Sequence, residues 1–439
     1  MQLMTRNRLP PLIFLFLLGG IESGSRAEDL PLEHRKVEVL VRELDSSSRE
    51  QRLQAERELI RRGNAILDQL PPPETKLPSA VREALLRIRT QVELDAALLS
   101  LRPSRVTLSG SIPLLRLLQD LERQTANLLD YSGIPESDLQ EKSDVAWERI
   151  PYWEAVEEIS KRHRLQLQTS TGQPLRLVPR PAKGIPPLAL DLSGAIRIAW
   201  TSNRLIRLDK IPLNVRPNLQ WIIEPRLRGL YATFRPRAIK LTADTNDLLP
   251  PVNPQATFEI PFGEKNKYLD LQLDYFLPAT HRYRTLRLEG EAEFEIAAGE
   301  ERFEFASLDD AAPRAQRKGN LTVTFEAPRS EQPESPDRRF TLLVRYDTAG
   351  PPFESHRLWI FHNRTFLKLP DGREIPPRGF ETLLSQGRTV GLNYEFTLDP
   401  QSIPPDQIEK AAFVYIAPTR ILTQTVPFRL SEVRFPDKD

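Results

Sequence analysis

The alternation of apolar and polar residues in the second half of the chain is the feature that most limits its fold. Leu269, Leu271 and Leu273 alternate with Asp270 and Gln272. The same period of two recurs at Phe294 and Ile296, at Leu321, Val323 and Phe325, at Val390, Leu392, Tyr394, Phe396 and Leu398, and at Phe428 and Leu430. Such a period turns one face of a strand to a core and the other to solvent. A long series of these strands predicts antiparallel β-sandwich architecture.

A polar stretch around 328–339 interrupts this β region. It contains Ser330, Pro333 and Ser335 among other loop-forming residues. We expect a seam here between one sandwich over 188–328 and a second over 338–439. The alternative is a single sandwich with a long loop at this point.

The segment 103–180 mixes strand and helix patterns. Val106 and Leu108 alternate as a strand, and Leu114 and Leu118 recur at helical spacing. Further patterns predict strands near 127–131, 144–147, 165–167 and 175–178 and a helix near 153–159. The resulting order, βαββαβ, is that of a small α+β domain.

This α+β segment resembles the short N-terminal domain of secretins and TonB-dependent receptors. The likeness is carried by VTLSGSIPLLRLL at 106–118 and PYWEAVEEI at 151–159. In that family the domain makes protein–protein contacts in the periplasm. The resemblance therefore implies a role in contacting another protein.

Helical spacing dominates the segment 28–102. Apolar residues recur in four groups, and Ser48 and Gly63 are placed to cap a helix over about 49–62. We expect a small helical bundle. The run REQRLQAERELIRRG at 49–63, followed by AIL at 65–67, resembles HEAT-like repeats, which stack helix pairs into binding surfaces. The complete three-part order is similar to a multidomain type of exported bacterial protein that has no assigned activity.

The first 27 residues have the layout of a secretory signal peptide. Arg6 and Arg8 precede an apolar run over 12–18, and small residues at Ser25 and Ala27 suit a cleavage site. We expect cleavage near Ala27 and a periplasmic or secreted protein. An uncleaved anchor is the alternative, but the run is shorter than the ~20 residues of a spanning helix. No later stretch is long and apolar enough, so we expect no integral span after cleavage.

Charge and cysteine content exclude several classes of protein. Lys and Arg number 61 against 60 for Asp and Glu, and there is no cysteine. A dedicated nucleic-acid surface would need an excess of cations. Without cysteine the chain has no disulfide, no thiolate nucleophile and no lipid-modified N-terminal cysteine.

The sequence contains no common catalytic motif. It lacks a nucleophile elbow, a phosphate-binding loop, a dinucleotide fingerprint and a zinc-protease motif. His356 and His362 are too far apart along a strand to share one metal. We therefore expect no enzyme activity, no cofactor and no metal site.

Two sets of acidic residues are candidate sites. Glu154, Glu157 and Glu158 share a predicted helix and could serve a glycosidase, although a solvated face with a partner such as Lys161 is simpler. Asp244 and Asp247 could hold calcium in a sandwich loop, whereas a plain turn needs no ion.

Aromatic and basic residues of the β region supply the remaining candidates for contact with a glycan or a partner. The aromatic set is Trp200, Trp221 and Trp359, and the basic set is Arg226, Arg228, Arg235 and Arg237. Core packing is the simpler interpretation of the tryptophans, and pairing with nearby acids that of the arginines.

Two functions are compatible with these observations. The first is a non-catalytic envelope protein that acts as an interaction or scaffolding module for another envelope protein. The alternative is a carbohydrate-binding or carbohydrate-active protein of the cell wall.

Overall fold

The computed structural model divides the chain into two compact units, residues 1–92 and 93–439, and each is described by itself. The residues described are 36–71, 75–170, 173–206, 213–262, 267–278, 283–308, 310, 312–318, 321–327, 337–346, 360, 363–386, 389–399 and 402–435. The expected signal peptide over 1–27 lies outside them.

The described helices are α1 Val37–Glu43, α2 Arg49–Arg61, α3 Ser79–Ser100, α4 Leu114–Thr125, α5 Glu136–Leu139, α6 Tyr152–Arg162 and α7 Pro405–Glu409, with 3₁₀ turns at Gly63–Gln69 and Pro236–Ala238. None of these helices combines the length and apolar composition that crossing a membrane requires.

The described strands are β1 Arg105–Pro113, β2 Lys142–Pro151, β3 Leu165–Gln168, β4 Arg176–Pro179, β5 Ala189–Asp191, β6 Ile196–Ile206, β7 Asn214–Ile223, β8 Arg228–Phe234, β9 Ile239–Ala243, β10 Leu248–Leu249, β11 Phe258–Pro261, β12 Tyr268–Gln272, β13 Tyr275–Phe276, β14 Thr285–Phe305, β15 Arg314–Lys318, β16 Leu321–Glu326, β17 Asp337–Tyr346, β18 Thr365–Lys368, β19 Glu374–Ile375, β20 Gly379–Gln386, β21 Thr389–Thr397 and β22 Ala412–Arg434.

The first unit is helical, with α1, α2, a 3₁₀ turn and the start of α3. Ser48 caps α2, where its hydroxyl accepts a hydrogen bond from the Gln51 N–H at 3.4 Å. Gly63 follows α2 at φ +67°, a left-handed conformation that glycine adopts without strain. Apolar side chains such as Leu40, Leu59 and Ile88 form its core. The helices predicted from the sequence therefore form here, except that the third of them is a 3₁₀ turn.

The α+β segment of the second unit lacks one of the predicted strands and contains an additional short helix, α5. Residues 127–131 form no strand, and only Asp130 makes a single parallel bridge to Arg176. The reason is local, because Ala126 is left-handed at φ 56° and the Asp130 carboxylate accepts from the Ser132 N–H, which turns the chain. The observed order is β1, α4, α5, β2, α6, β3, β4.

Two apolar cores share one eight-stranded sheet in the β region. Its long strands β14 and β22 pair antiparallel along most of their length. One end of this sheet packs on the sheet of β5, β6, β7, β12 and β13 to form the first core. The other end packs on the sheet of β15, β16, β17, β21 and β20 to form the second core. The region is thus mostly antiparallel β, as the alternation predicts.

The two cores do not follow the expected ranges 188–328 and 338–439. Leu321 and Phe325, from before the polar stretch, lie in the second core. Phe428 and Leu430, from near the end of the described chain, lie in the first. The physical reason is that β14 and β22 are long enough to contribute to both cores, so the chain returns to the first core at its end.

Candidate functional site

The two described tryptophans among the candidates belong to the first core. Trp200 and Trp221 are both 0% exposed. The Trp221 ring centroid lies 5.0 Å from that of Phe428 and 5.2 Å from that of Phe234. These rings present no face to a glycan at the surface, which agrees with core packing. Trp359 lies outside the described residues.

Arg226 is directed inward. Its guanidinium pairs with Glu224 at 2.5 Å and donates to the carbonyl oxygens of Ser100 and Arg102 at 2.5 and 2.6 Å. Its backbone N–H donates to the Asn127 side chain at 2.9 Å. Arg226 thus ties the end of α3 and the α+β segment to the first sandwich, and it is not part of a surface patch.

The other three arginines of the set point to different surroundings. Arg228 donates to Glu300 at 2.9 Å and to Asn363 at 2.6 Å. Arg235 pairs with Glu293 at 2.8 Å, and Arg237 is exposed. The structure therefore does not bring the four arginines together on one face, and three of them pair with nearby acids.

Two of the three glutamates of α6 make specific contacts. Glu157 is buried and its carboxylate lies 3.6 Å from the guanidinium of Arg197 on β6. Among the described residues it forms no ion pair with Lys161, the partner that the helical spacing suggests. The reason is that this face of α6 packs on the first sandwich, where the Trp153 indole donates to the Ala195 carbonyl at 3.2 Å. Burial of Arg197 lowers its pKa, and the charge of Glu157 opposes that shift.

Glu158 also has a structural contact. It accepts a hydrogen bond from the Trp147 indole at 2.7 Å and pairs with Arg162 one helical turn later. Glu154 is exposed. The contacts of Glu157 and Glu158 hold α6 in place, which gives no support to the glycosidase interpretation of this helix.

Asp244 and Asp247 border the turn from β9 to β10. The Asp247 carboxylate accepts from the hydroxyls of Thr245 at 2.8 Å and Tyr283 at 3.1 Å, and Asn246 is left-handed at φ 63°. Among the described residues no group of three or more His, Asp or Glu side chains is placed to hold a metal ion. His356 and His362 lie outside those residues.

The strand β20 forms an exposed edge that the alternation pattern of the sequence does not predict. Within the described chain it pairs only with β21, at the end of the five-stranded sheet. Seven of its eight residues are exposed. Phe380, Leu383 and Leu384 are 44%, 53% and 37% exposed. An edge of this kind offers backbone donors and acceptors beside apolar side chains.

The side chains of β20 are not equivalent. The Phe380 ring lies 6.0 Å from the ring of Tyr394, and Leu384 packs over Gly391, where a Cβ would meet the Leu384 Cβ at 3.3 Å. The pairing with β21 slips between Thr382 and Leu384, so Leu383 is the bulged residue. Phe380 and Leu384 therefore anchor the strand, and Leu383 is free to contact a partner.

Comparison with known proteins does not assign this chain to a family. Neither a protein-family model nor a curated protein matches this chain.

Proposed function

We propose that this chain is a non-catalytic exported envelope protein that binds another protein, and that β20 is the strand on which the partner docks. The observation that carries the proposal is the exposed apolar edge of β20 on a well-packed sheet. The envelope location rests on the signal-peptide layout of residues 1–27.

The geometry of the β20 edge indicates which kind of partner can bind there. A strand with a free edge and exposed faces accepts an extended segment, which adds its own backbone hydrogen bonds to the sheet. Leu383 and its apolar neighbours favour apolar side chains in that segment. Glu381 is the only charged residue of β20, so we propose that the docking segment carries Lys or Arg opposite it.

The contacts between the α+β segment and the first sandwich support a scaffolding role. Three contacts cross between these two parts of the second unit: the Trp153 indole to the Ala195 carbonyl, the Glu157–Arg197 pair, and the Arg226 N–H to the Asn127 side chain. The first sandwich shares its eight-stranded sheet with the core on which the sheet of β20 packs, so these contacts limit motions whose loss would cost entropy when β20 binds a partner. The carbohydrate alternative depended on exposed tryptophans, and the burial of Trp200 and Trp221 removes two of the three.

Site-specific photo-crosslinking tests this function. A photoreactive residue in place of Leu383 should attach an extended segment of one identified envelope protein, in extracts of the source organism. Leu383→Lys should weaken binding of a peptide of that segment by about tenfold or more, because burying a leucine contributes ~1.5–3 kcal/mol.

Leu248 supplies the matched control, since it is 60% exposed on the short edge strand β10. Leu248→Lys should leave the peptide affinity unchanged. An equal loss of peptide affinity in both variants would contradict the proposal. So would cross-links only to a second copy of this chain, or the absence of a reproducible cross-linked segment.

A further inference from the structure

A polar cluster lies where the two cores of the β region meet. Arg228, at the start of β8, donates to the Glu300 carboxylate of β14 at 2.9 Å and to the Asn363 amide oxygen at 2.6 Å. Asn363 in turn donates to the Tyr415 hydroxyl of β22 at 2.7 Å. These four residues and Lys267 are called the waist cluster.

Lys267 brings a second cation to the waist cluster. Its ammonium donates to the Leu227 carbonyl oxygen at 2.7 Å. Burial lowers the pKa of Lys267 to about 8; Glu300 opposes this shift, and the like charge of Arg228 adds to it. Because Leu227 directly precedes Arg228, the hydrogen bond to Leu227 places the Lys267 ammonium beside the start of β8, within the waist cluster.

The single carboxylate is the most exposed of its charged groups. The Glu300 side chain is 48% exposed, whereas that of Arg228 is 14% exposed. The Glu300 carboxylate thus borders water, and Arg228 has a second hydrogen bond, to Asn363, that does not depend on Glu300. A carboxylate from elsewhere could then occupy the position that Glu300 leaves.

We propose that Arg228 and Lys267 form a binding site for a carboxylate that is not part of this cluster, for which Glu300 is the internal substitute. Cations that are shielded from water attract an anion more strongly than exposed ones do. The hydrogen bond from Arg228 to Glu300 shows that a carboxylate fits the guanidinium. The ligand class is a carboxylic acid, either a free one or an acidic side chain of a partner. This proposal is independent of docking at β20.

Chemical rescue tests the site. Glu300→Ala removes the internal carboxylate and should lower the urea midpoint of unfolding. Acetate should restore the midpoint in a saturable manner, compared with chloride at equal ionic strength. Wild type should respond at higher acetate concentrations, because Glu300 competes. Adding Lys267→Met to Glu300→Ala should weaken the response by about tenfold, the loss expected for one charge-assisted hydrogen bond.

A matched pair at the surface gives the control. Arg235 and Glu293 also lie 2.8 Å apart, but their side chains are 35% and 40% exposed. Glu293→Ala should show no saturable acetate response. An equal acetate response in Glu300→Ala and Glu293→Ala would overturn the proposal. So would an acetate response of Glu300→Ala that the added Lys267→Met leaves unchanged.

Two further measurements complete the test. If Glu300→Ala does not fold, Glu300→Gln serves in its place, since it keeps the shape and removes the charge.

A short peptide with one glutamate and blocked ends distinguishes the two sources of carboxylate. Tighter binding of the peptide than of acetate supports a partner side chain, and equal or weaker binding supports a free acid. No binding of either would overturn the site.

Discussion

The Ser104 hydroxyl donates a hydrogen bond to the Glu224 carboxylate at 2.8 Å, although the two residues are 120 positions apart. Glu224 is fully buried and also accepts from the Ser104 N–H at 2.9 Å and the Asn127 amide at 3.2 Å. Together with Arg226, these groups satisfy a charge that would otherwise be costly to bury. The network fixes the α+β segment on the first sandwich.

Glu224→Ala should destabilise the second unit strongly. The change leaves Arg226 without its carboxylate and removes three other hydrogen bonds. Breaking a buried pair in this way costs about 3–5 kcal/mol. Urea unfolding measures the loss. Glu293→Ala, which breaks the exposed pair with Arg235, should cost less than about 1 kcal/mol. Similar losses in the two variants would contradict the role assigned to Glu224.

Gly290→Ala tests a close approach of two backbone segments. A Cβ at this position would lie 2.4 Å from the Ala238 carbonyl oxygen and 2.8 Å from the Ile239 Cα. Because both atoms belong to the backbone, β14 and β9 would have to move apart, at a cost of about 1–3 kcal/mol. The matched control is Gly379→Ala, where a Cβ would meet nothing within 4 Å. Equal unfolding midpoints for the two variants would show that no such constraint exists.

The sequence predicts the local structure of this chain better than its long-range pairing. The alternation at Phe294 and Phe428 indicates which residues face a core, because a strand repeats its faces every two residues. It does not indicate that β14 pairs with β22, since the hydrogen bonds of a ladder do not depend on side-chain type. For this reason the two cores share a sheet that the sequence ranges do not predict.

The candidate docking edge could not be predicted from the sequence for a related reason. Leu383 and Leu384 are adjacent, so a strict alternation would bury one of them. A bulge at an edge leaves both exposed instead. Likewise, the spacing of Arg226 and Arg228 indicates two neighbouring cations, but only the fold shows that they face different surroundings.

Trp221 should contribute to stability through its ring. It lies within 5.0–5.5 Å of the rings of Phe234, Phe294 and Phe428, measured between centroids. Trp221→Ala should cost about 3–5 kcal/mol, and Trp221→Phe less, because phenylalanine keeps part of these contacts. Phe380→Ala, at a half-exposed ring, should cost less than either. Urea unfolding of the three variants ranks their losses of stability. An equal loss for Trp221→Ala and Phe380→Ala would contradict the placement of Trp221 in the core.

Lys267 should make stability depend on pH in the alkaline range. Its pKa is about 8 in the folded protein, against 10.5 when unperturbed. Between these values the unfolded chain binds more protons than the folded protein, so the free energy of unfolding rises with pH. The free energy of unfolding should therefore rise more steeply with pH in wild type than in Lys267→Met, by up to about 1.4 kcal/mol per pH unit. The comparison is best made from pH 8 to 10. Burial also raises the pKa of Tyr346 and Tyr415, which contribute with opposite sign as the pH approaches 10, but this contribution is the same in wild type and Lys267→Met and cancels in the difference.

The exposed residue Lys240 gives the matched variant for this pH experiment. The stability curve of Lys240→Met should run parallel to that of wild type from pH 8 to 10, because burial is the main cause of the Lys267 shift and the Lys240 side chain is exposed. If the curves of wild type and Lys267→Met are parallel as well, the Lys267 ammonium is not shielded from water. In that case the lower effective dielectric on which the carboxylate site depends would be absent.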